Sequence, residues 1–149
     1  MDQRDIDVLL MQIQFPGMPA LESNIARGWI RLYARDYDSL DFNVRLGQGR
    51  PLVEGLSPEI ALQQTMLSQR RADIIAHVSA FVDIVEVKDR ATLSAIGQLV
   101  GYRKLWSDTN PQIVVRRLIV VARDVPPDVE NVFRHEGIEF RVIQPEVRQ

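Results

Sequence analysis

The stretch Val82-Asp83-Ile84-Val85-Glu86-Val87-Lys88 decides the fold, because it is an apolar β-strand that ends in a carboxylate and an amine. Side chains two positions apart along a strand point to the same face of a sheet. Glu86 and Lys88 are therefore expected side by side, whereas Asp83 faces the other side and is expected to be a surface or turn charge. Two charges at a buried strand end are costly unless they pair or serve chemistry.

A second apolar strand precedes this one. Arg71 to Val78 is predicted as a strand, and a tight turn at Ser79-Ala80 predicts an antiparallel hairpin between the two. Asp73 lies near the start of the first strand. Two carboxylates can hold a divalent cation, and a lysine can orient water or stabilise developing negative charge. Asp73, Glu86 and Lys88 together therefore predict a metal-binding phosphodiesterase site.

The composition restricts which metal such a site would hold. The chain has 149 residues, 46% of them hydrophobic and 26% charged, which is typical of one globular domain. It contains no cysteine and only two histidines, so a zinc site built from these side chains is disfavoured. Oxygen ligands favour Mg²⁺ or Mn²⁺. The net charge of −2 argues against tight nonspecific DNA binding but does not exclude a nuclease.

The chain shows no targeting or membrane signal. No apolar run approaches the roughly 18 residues that a membrane span requires, and Met1 to Asp5 lacks the pattern of a signal peptide. We expect a cytoplasmic protein that does not enter a membrane. If a phage encodes it, the host cytoplasm or the virion is the expected location.

The remaining elements predict a mixed α/β fold in one domain, residues 1–149. Apolar spacing predicts a helix over Leu21 to Tyr33, and Ser57 followed by Pro58 predicts the start of another. The first residues up to about Met18 fit either a short helix or a strand. Asp89 is expected to cap a helix from Ala91 to Trp106. The other predicted elements are strands at 41–46, 117–123 and 138–143 and a short helix from Pro126 to His135.

The site residues resemble a known family. Asp73 followed by Glu86-Val87-Lys88 resembles the PD-(D/E)xK nuclease superfamily, which has the restriction-endonuclease-like fold. Gln98 and Tyr102, one helical turn apart, resemble the Gln-x-x-x-Tyr motif of one of its branches. The order helix, three strands, helix, strand is similar to the family core over about 21–121, with 1–20 and 122–149 as additions. Ala72 stands where the family has proline.

The resemblance implies a Mg²⁺-dependent or Mn²⁺-dependent deoxyribonuclease whose catalytic residues are Asp73, Glu86, Lys88, Gln98 and Tyr102. Asp73, Glu86 and the backbone carbonyl of Val87 would hold the metal, and Glu22 is a further candidate ligand. DNA would be the partner, and the protein could work as a homo-oligomer or within a larger complex. The size of the chain resembles small stand-alone phage nucleases. Four nearby basic residues are candidate DNA contacts: Arg70, Arg71, Arg103 and Lys104.

Simpler interpretations stay open for each residue. Asp73 could pair with Arg71 along the strand, Gln98 could fill a hydrogen-bond gap, and Tyr102 could be a core aromatic. The fold could also serve without turnover, as a structural or DNA-end-binding component, for example in a virus particle, because a fold alone does not establish activity.

Overall fold

A five-stranded mixed sheet organises the computed structural model, which describes residues 1–148. The strands lie side by side in chain order. The first three are antiparallel to their neighbours, whereas the third, fourth and fifth are parallel. Their bounds are β1 Ser39–Leu46, β2 Arg70–Val78, β3 Phe81–Arg90, β4 Val114–Asp124 and β5 Glu139–Val142.

Helices connect the strands and cover the sheet. Each parallel pair needs a crossover connection, and a helix supplies it in both cases. The helices are α1 Gln3–Leu10, α2 Ala20–Tyr33, α3 Pro58–Ser68, α4 Ser94–Thr109 and α5 Pro127–His135, with a 3-10 turn at Ala34–Asp36. None of the helices in residues 1–148 is long and apolar enough to cross a membrane.

The sheet buries a separate hydrophobic cluster on each face. On one face α1 and α2 pack against the odd-numbered apolar residues of β3 and β4, among them Val85 and Ile119. On the other face α4 and α5 pack against the even-numbered residues, among them Ile84 and Val120. This alternation places Glu86 and Lys88 on the face that α4 covers.

The structure confirms the predicted mixed sheet flanked by helices, with an αβββαβ core followed by a further helix and strand. The ambiguous N-terminal segment is a helix, α1, in which Asp2 accepts a hydrogen bond from the Asp5 backbone N–H. The N-terminal prediction for α3 is also confirmed, because the Ser57 hydroxyl accepts from the Ile60 N–H and Pro58 is the first helical residue.

The predicted cap at Asp89 is wrong. β3 continues to Arg90, which pairs with Asp124 of β4, so Asp89 lies within a strand. Its carboxylate forms an ion pair with Arg123 at 2.8 Å. α4 starts only at Ser94, after Leu93, and has no side-chain cap. The ladder to β4 holds this segment extended, and a local capping signal could not reveal that contact.

Candidate functional site

The regular pairing between β2 and β3 ends next to Asp73. The β2–β3 ladder pairs Ile74 with Val85, and the same register carried one residue further would place Asp73 opposite Glu86. Instead, the Asp73 carboxylate accepts a hydrogen bond from the Val87 backbone N–H at 2.8 Å. The side chain of Asp73 thus takes the place of a main-chain acceptor and lies against β3. The alternative ion pair between Asp73 and Arg71 does not occur within residues 1–148.

Glu86 is a buried carboxyl group beside Asp73. It is only 3% exposed. Burial raises its pKa to about 9, and the hydrogen-bonding and charge of Asp73 add to the rise, while Lys88 and Tyr102 oppose it. Its Oε2 atom is buried and has no hydrogen-bond partner among the described residues. Such a group is stabilised by a proton or by a cation.

α4 places Gln98 and Tyr102 over this pair. Tyr102 is buried, and burial together with the charges of Glu86 and Asp73 raises the pKa of its hydroxyl. Gln98 lies one turn earlier, and its Oε1 atom is buried and unpartnered in the part of the chain described. Both residues line a cleft of about 460 Å³. The structure therefore brings four predicted residues to one end of the sheet, and Lys88 lies close enough to act on the pKa of Glu86.

The site offers oxygen ligands, which hard cations such as Mg²⁺ prefer, but only a few of them belong to acidic side chains. Asp73 and Glu86 offer carboxylate oxygens, and the unpartnered Glu86 oxygen fits a ligand role. The hydrogen bond to Asp73 brings the Val87 main chain beside the same carboxylate. Across residues 1–148, no group of three or more His, Asp and Glu side chains is placed to share a metal.

Glu22 does not complete an acidic cluster with Asp73 and Glu86. It lies in the first turn of α2, which packs on the face of the sheet opposite to α4. The position of a glutamate on an amphipathic helix shows which side of the helix it occupies but not how far that side lies from a distant strand end.

The candidate DNA contacts fall in different places. Arg70 is exposed and lines the cleft beside Gln98 and Tyr102. Lys104 lines the same cleft but pairs with Asp108 at 2.7 Å. Arg103 lines a separate cleft near the start of β4, and Arg71 is half-buried within β2. Arg70 is thus the candidate that is exposed, has no ion-pair partner among residues 1–148 and lines the cleft of the site.

Asp83 is not a surface or turn charge, as the sequence predicted, because it is completely buried. Its carboxylate accepts hydrogen bonds from the Tyr37 hydroxyl at 2.6 Å, from Arg116 at 2.7 Å and from Arg117 at 3.1 Å. A bulge between β3 and β4 pairs Val82 with Val115 but Asp83 with Arg117, so both arginines reach one carboxylate.

This second cluster has a structural role. Burial alone would raise the pKa of Asp83, but Arg116, Tyr37 and Arg117 together lower it below its ordinary value. The two buried acids of β3 thus differ in partners: Asp83 is saturated with donors, whereas Glu86 has an unpartnered oxygen. The consecutive arginines before an apolar strand are visible in the sequence, but they do not identify the carboxylate that they bind.

Comparisons with known proteins give one structural likeness. No family model matches the chain, and no curated protein matches it. A solved structure titled as a repair endonuclease from Pyrococcus abyssi is similar at 19% sequence identity with a TM-score of 0.44. The match covers 83% of this chain and 47% of the other, so the chain spans less than half of that protein's length.

Proposed function

We propose that this protein is a divalent-metal-dependent nuclease that hydrolyses DNA phosphodiester bonds. The observation that carries the proposal is the buried Glu86, which lies beside Asp73 with one oxygen unpartnered, below a cleft lined by Gln98 and Tyr102. A buried acceptor without a partner costs free energy in a purely structural protein, whereas a bound cation would satisfy it.

The proposed roles follow from chemistry and position. Asp73, Glu86 and the Val87 carbonyl would hold Mg²⁺ or Mn²⁺. When bound, such a cation lowers the pKa of water and stabilises charge on a phosphoryl oxygen. Lys88 would orient the attacking water or stabilise the developing negative charge. The hydrogen bond from the Val87 N–H fixes Asp73 so that its carboxylate stays beside Glu86.

Gln98 and Tyr102 would orient the substrate from α4. The Gln98 amide can donate to a phosphate oxygen while its oxygen accepts from water. The Tyr102 hydroxyl acts on the pKa of Glu86 and would position that carboxyl group. Because burial and two carboxylates raise the pKa of Tyr102, it stays protonated at neutral pH and acts as a donor.

Cleavage by carboxylate variants tests the proposal. Purified protein would be incubated with linear, circular and branched DNA, with Mg²⁺, Mn²⁺ or chelator. We expect Asp73→Asn and Glu86→Gln to lose about 100-fold or more of the metal-dependent rate, the scale of a lost electrostatic contact in an active site. Glu130→Gln is the control, because Glu130 forms a surface ion pair with Arg134 on α5.

The variants are close in shape to the parent side chains, and circular dichroism would verify that each one folds. If Asp73→Asn and Glu86→Gln cut DNA as fast as the parent, the assigned site is wrong. If the parent cuts no DNA with either metal, the nuclease proposal fails.

A binding module without turnover is the second candidate, since the described residues offer only two acidic side chains at the site. Such a component would hold DNA or a DNA end in an assembly. Calorimetric titration with Mn²⁺ separates the two candidates: a nuclease should bind Mn²⁺ with an affinity that Asp73→Asn and Glu86→Gln abolish. An inactive scaffold should show no binding that depends on these residues.

A further inference from the structure

Three adjoining clefts form one groove that starts at the proposed active site. The first, of about 460 Å³, contains Gln98 and Tyr102. The second, of about 270 Å³, lies along residues 46–50, and the third, of about 480 Å³, lies between Arg50 and α3. Arg70 lines all three, so we call this surface the Arg70 groove.

The Arg70 groove is positively charged although the chain carries a net charge of −2. Its lining contains no aspartate or glutamate. Arg50 and Arg70 have no ion-pair partner among residues 1–148. By contrast, Arg116 and Arg117 at the separate cleft near the start of β4 are paired with Asp83. Arg103 is the one cation of that cleft without an ion-pair partner in residues 1–148, so the larger uncompensated charge, from Arg50 and Arg70, is on the side of the site toward β1 and α3.

Arg50 is held in the groove by its neighbours. Its backbone N–H donates to the Ser68 hydroxyl at 2.7 Å. Gly49, with a φ of +78°, lies so close to α3 that a Cβ atom would be 2.5 Å from the Ser68 hydroxyl and 2.8 Å from the Thr65 carbonyl oxygen. A side chain there would displace the loop. The backbone thus presents Arg50 beside Arg70 along the same surface.

α4 leaves room for a ligand at the other end of the groove. Gly97 and Gly101 line the first cleft, and nothing lies within 4 Å of the position that a Cβ atom would take at either residue. Because Gly97 and Gly101 carry no side chain, the surface of α4 next to Gln98 has open space. A sugar-phosphate backbone could approach Gln98 and Tyr102 closely.

We infer that the Arg70 groove binds the phosphate backbone of the DNA substrate, with Arg70 and Arg50 contacting phosphates on the β1 side of the active site. The inference rests on the proposed nuclease function. It adds the path of the bound DNA, which extends from the active site toward α3 and not toward Arg103. Phosphate contacts position a substrate without reading its sequence, so the groove supplies affinity and register.

Salt-dependent DNA binding tests the inference without turnover. The probes are fluorescently labelled duplex and single-stranded oligonucleotides of one sequence, with chelator present, and anisotropy is measured across a salt series. The variants are Arg50→Ala, Arg70→Ala and both together. Arg103→Ala tests the opposite direction. Arg4→Ala is the neutral control, because Arg4 is exposed on α1 and forms no ion pair within residues 1–148.

Each lost phosphate contact should reduce the slope of log K against log salt by about 0.9 on duplex DNA and about 0.7 on a single strand. We expect this reduction for Arg50→Ala and Arg70→Ala, an additive reduction for the double variant, and unchanged slopes for Arg4→Ala and Arg103→Ala. The probe on which the arginine variants reach the reduction expected for that probe identifies the DNA form that the groove accepts.

Two results would overturn the inference: unchanged slopes for Arg50→Ala and Arg70→Ala, or a slope loss for Arg103→Ala that equals theirs. Metal-dependent cleavage by the parent is measured in parallel. If the parent cuts DNA while both arginine variants bind normally, the nuclease proposal stands and the groove does not. If the arginine variants lose affinity while the parent cuts nothing, the groove stands and the nuclease proposal fails.

Discussion

Two carboxylates on β3 show how far single residues can be interpreted. Alternation along the strand predicted that Asp83 and Glu86 face opposite sides of the sheet, and the two hydrophobic clusters agree. The environment of Asp83 could not be predicted in the same way. Its partners Tyr37 and Arg116 lie 46 and 33 residues away in the chain, and the bulge that brings in Arg117 has no local signature.

The raised pKa of Glu86 predicts that the protein loses stability as the pH rises. The folded state keeps the Glu86 proton up to about pH 9, whereas the unfolded chain releases it near 4.5. Between these values the unfolded state binds fewer protons, so the free energy of unfolding should fall, with a limiting slope of about 1.4 kcal/mol per pH unit for one proton. Urea unfolding from pH 5 to 9 with chelator measures the slope.

Glu86→Gln is the matched variant for this measurement, because it removes the titrating group and keeps the shape. It should be as stable as the parent near pH 5 and more stable near pH 9. A parent whose unfolding free energy has the same pH dependence as that of Glu86→Gln would contradict the prediction.

The Asp83 cluster predicts the opposite pH dependence to Glu86: its contribution to stability should be lost as the pH falls. Because the pKa of Asp83 is lowered in the fold, its contribution is present at neutral pH and is lost as the pH falls through that lowered pKa. Asp83→Asn should cost about 2–3 kcal/mol of unfolding free energy at pH 7, below the usual cost of breaking a buried pair because the arginines are partly exposed.

Urea unfolding measures the cost of Asp83→Asn, and Glu139→Gln is its control. Glu139 is partly exposed and pairs with Arg117 at 3.4 Å, so its loss should cost less than about 1 kcal/mol. Equal unfolding free energies for Asp83→Asn and Glu139→Gln would show that the buried Asp83 contributes no more stability than the partly exposed Glu139.

At the scale of elements, capping and turn residues predicted those helix starts and hairpins that depend on neighbouring residues in the chain. The Ser57 cap and Pro58 placed the start of α3, and the hairpin at Ser79 placed β2 against β3. Asp89 misled because a residue that could cap a helix instead lies in a ladder to a strand 34 positions later, as Arg90 pairs with Asp124. Local signals predicted the β2–β3 pairing, whereas the arrangement of all five strands in chain order is seen in the structure.

Substitutions at Gly101 should stabilise the protein but narrow the space that the substrate can enter. It lies inside α4 with open space at its Cβ position, so Gly101→Ala should raise the unfolding free energy by about 0.5–1 kcal/mol. Gly101→Leu should fill the first cleft and slow DNA cleavage while the fold remains stable. Thermal unfolding and cleavage rates are the measurements. Cleavage by Gly101→Leu at the parent rate would show that the substrate does not use this cleft.

Gly137 supplies the matched control, because its Cβ position is also open but its φ is +71°. Gly137→Ala should therefore lower stability where Gly101→Ala raises it, since only the backbone conformation differs. A stabilising effect of Gly137→Ala would contradict this account.

At the scale of the molecule, the two clusters that build the core are formed by the sheet, by the helices that cover it and by adjoining loop residues such as Phe15 and Ile138. α3 takes no part in either cluster. None of the residues of α3 is buried. Its apolar side chains Ile60, Leu62 and Leu67 are 52%, 62% and 75% exposed. A sequence can indicate that a helix forms through its caps, but only contacts show whether the helix supports the fold.

Replacement of residues 47–69 by the two-residue turn Asn-Gly should therefore leave the core folded. Leu46 and Arg70 are already opposite each other in the antiparallel β1–β2 pair, so a two-residue turn can close the hairpin there. The shortened protein should unfold cooperatively and bind Mn²⁺ as the parent does, because Asp73 and Glu86 lie outside the deleted segment. Circular dichroism melts and calorimetry measure these properties.

DNA binding should suffer in the same variant, because the deletion removes Arg50 and the walls of the Arg70 groove while keeping Arg70 itself. The slope of log K against log salt should fall by the amount expected for one lost phosphate contact, as for Arg50→Ala. An unfolded product would show that α3 stabilises the sheet despite its exposure. A folded product with parental DNA affinity would show that residues 47–69 have no part in binding.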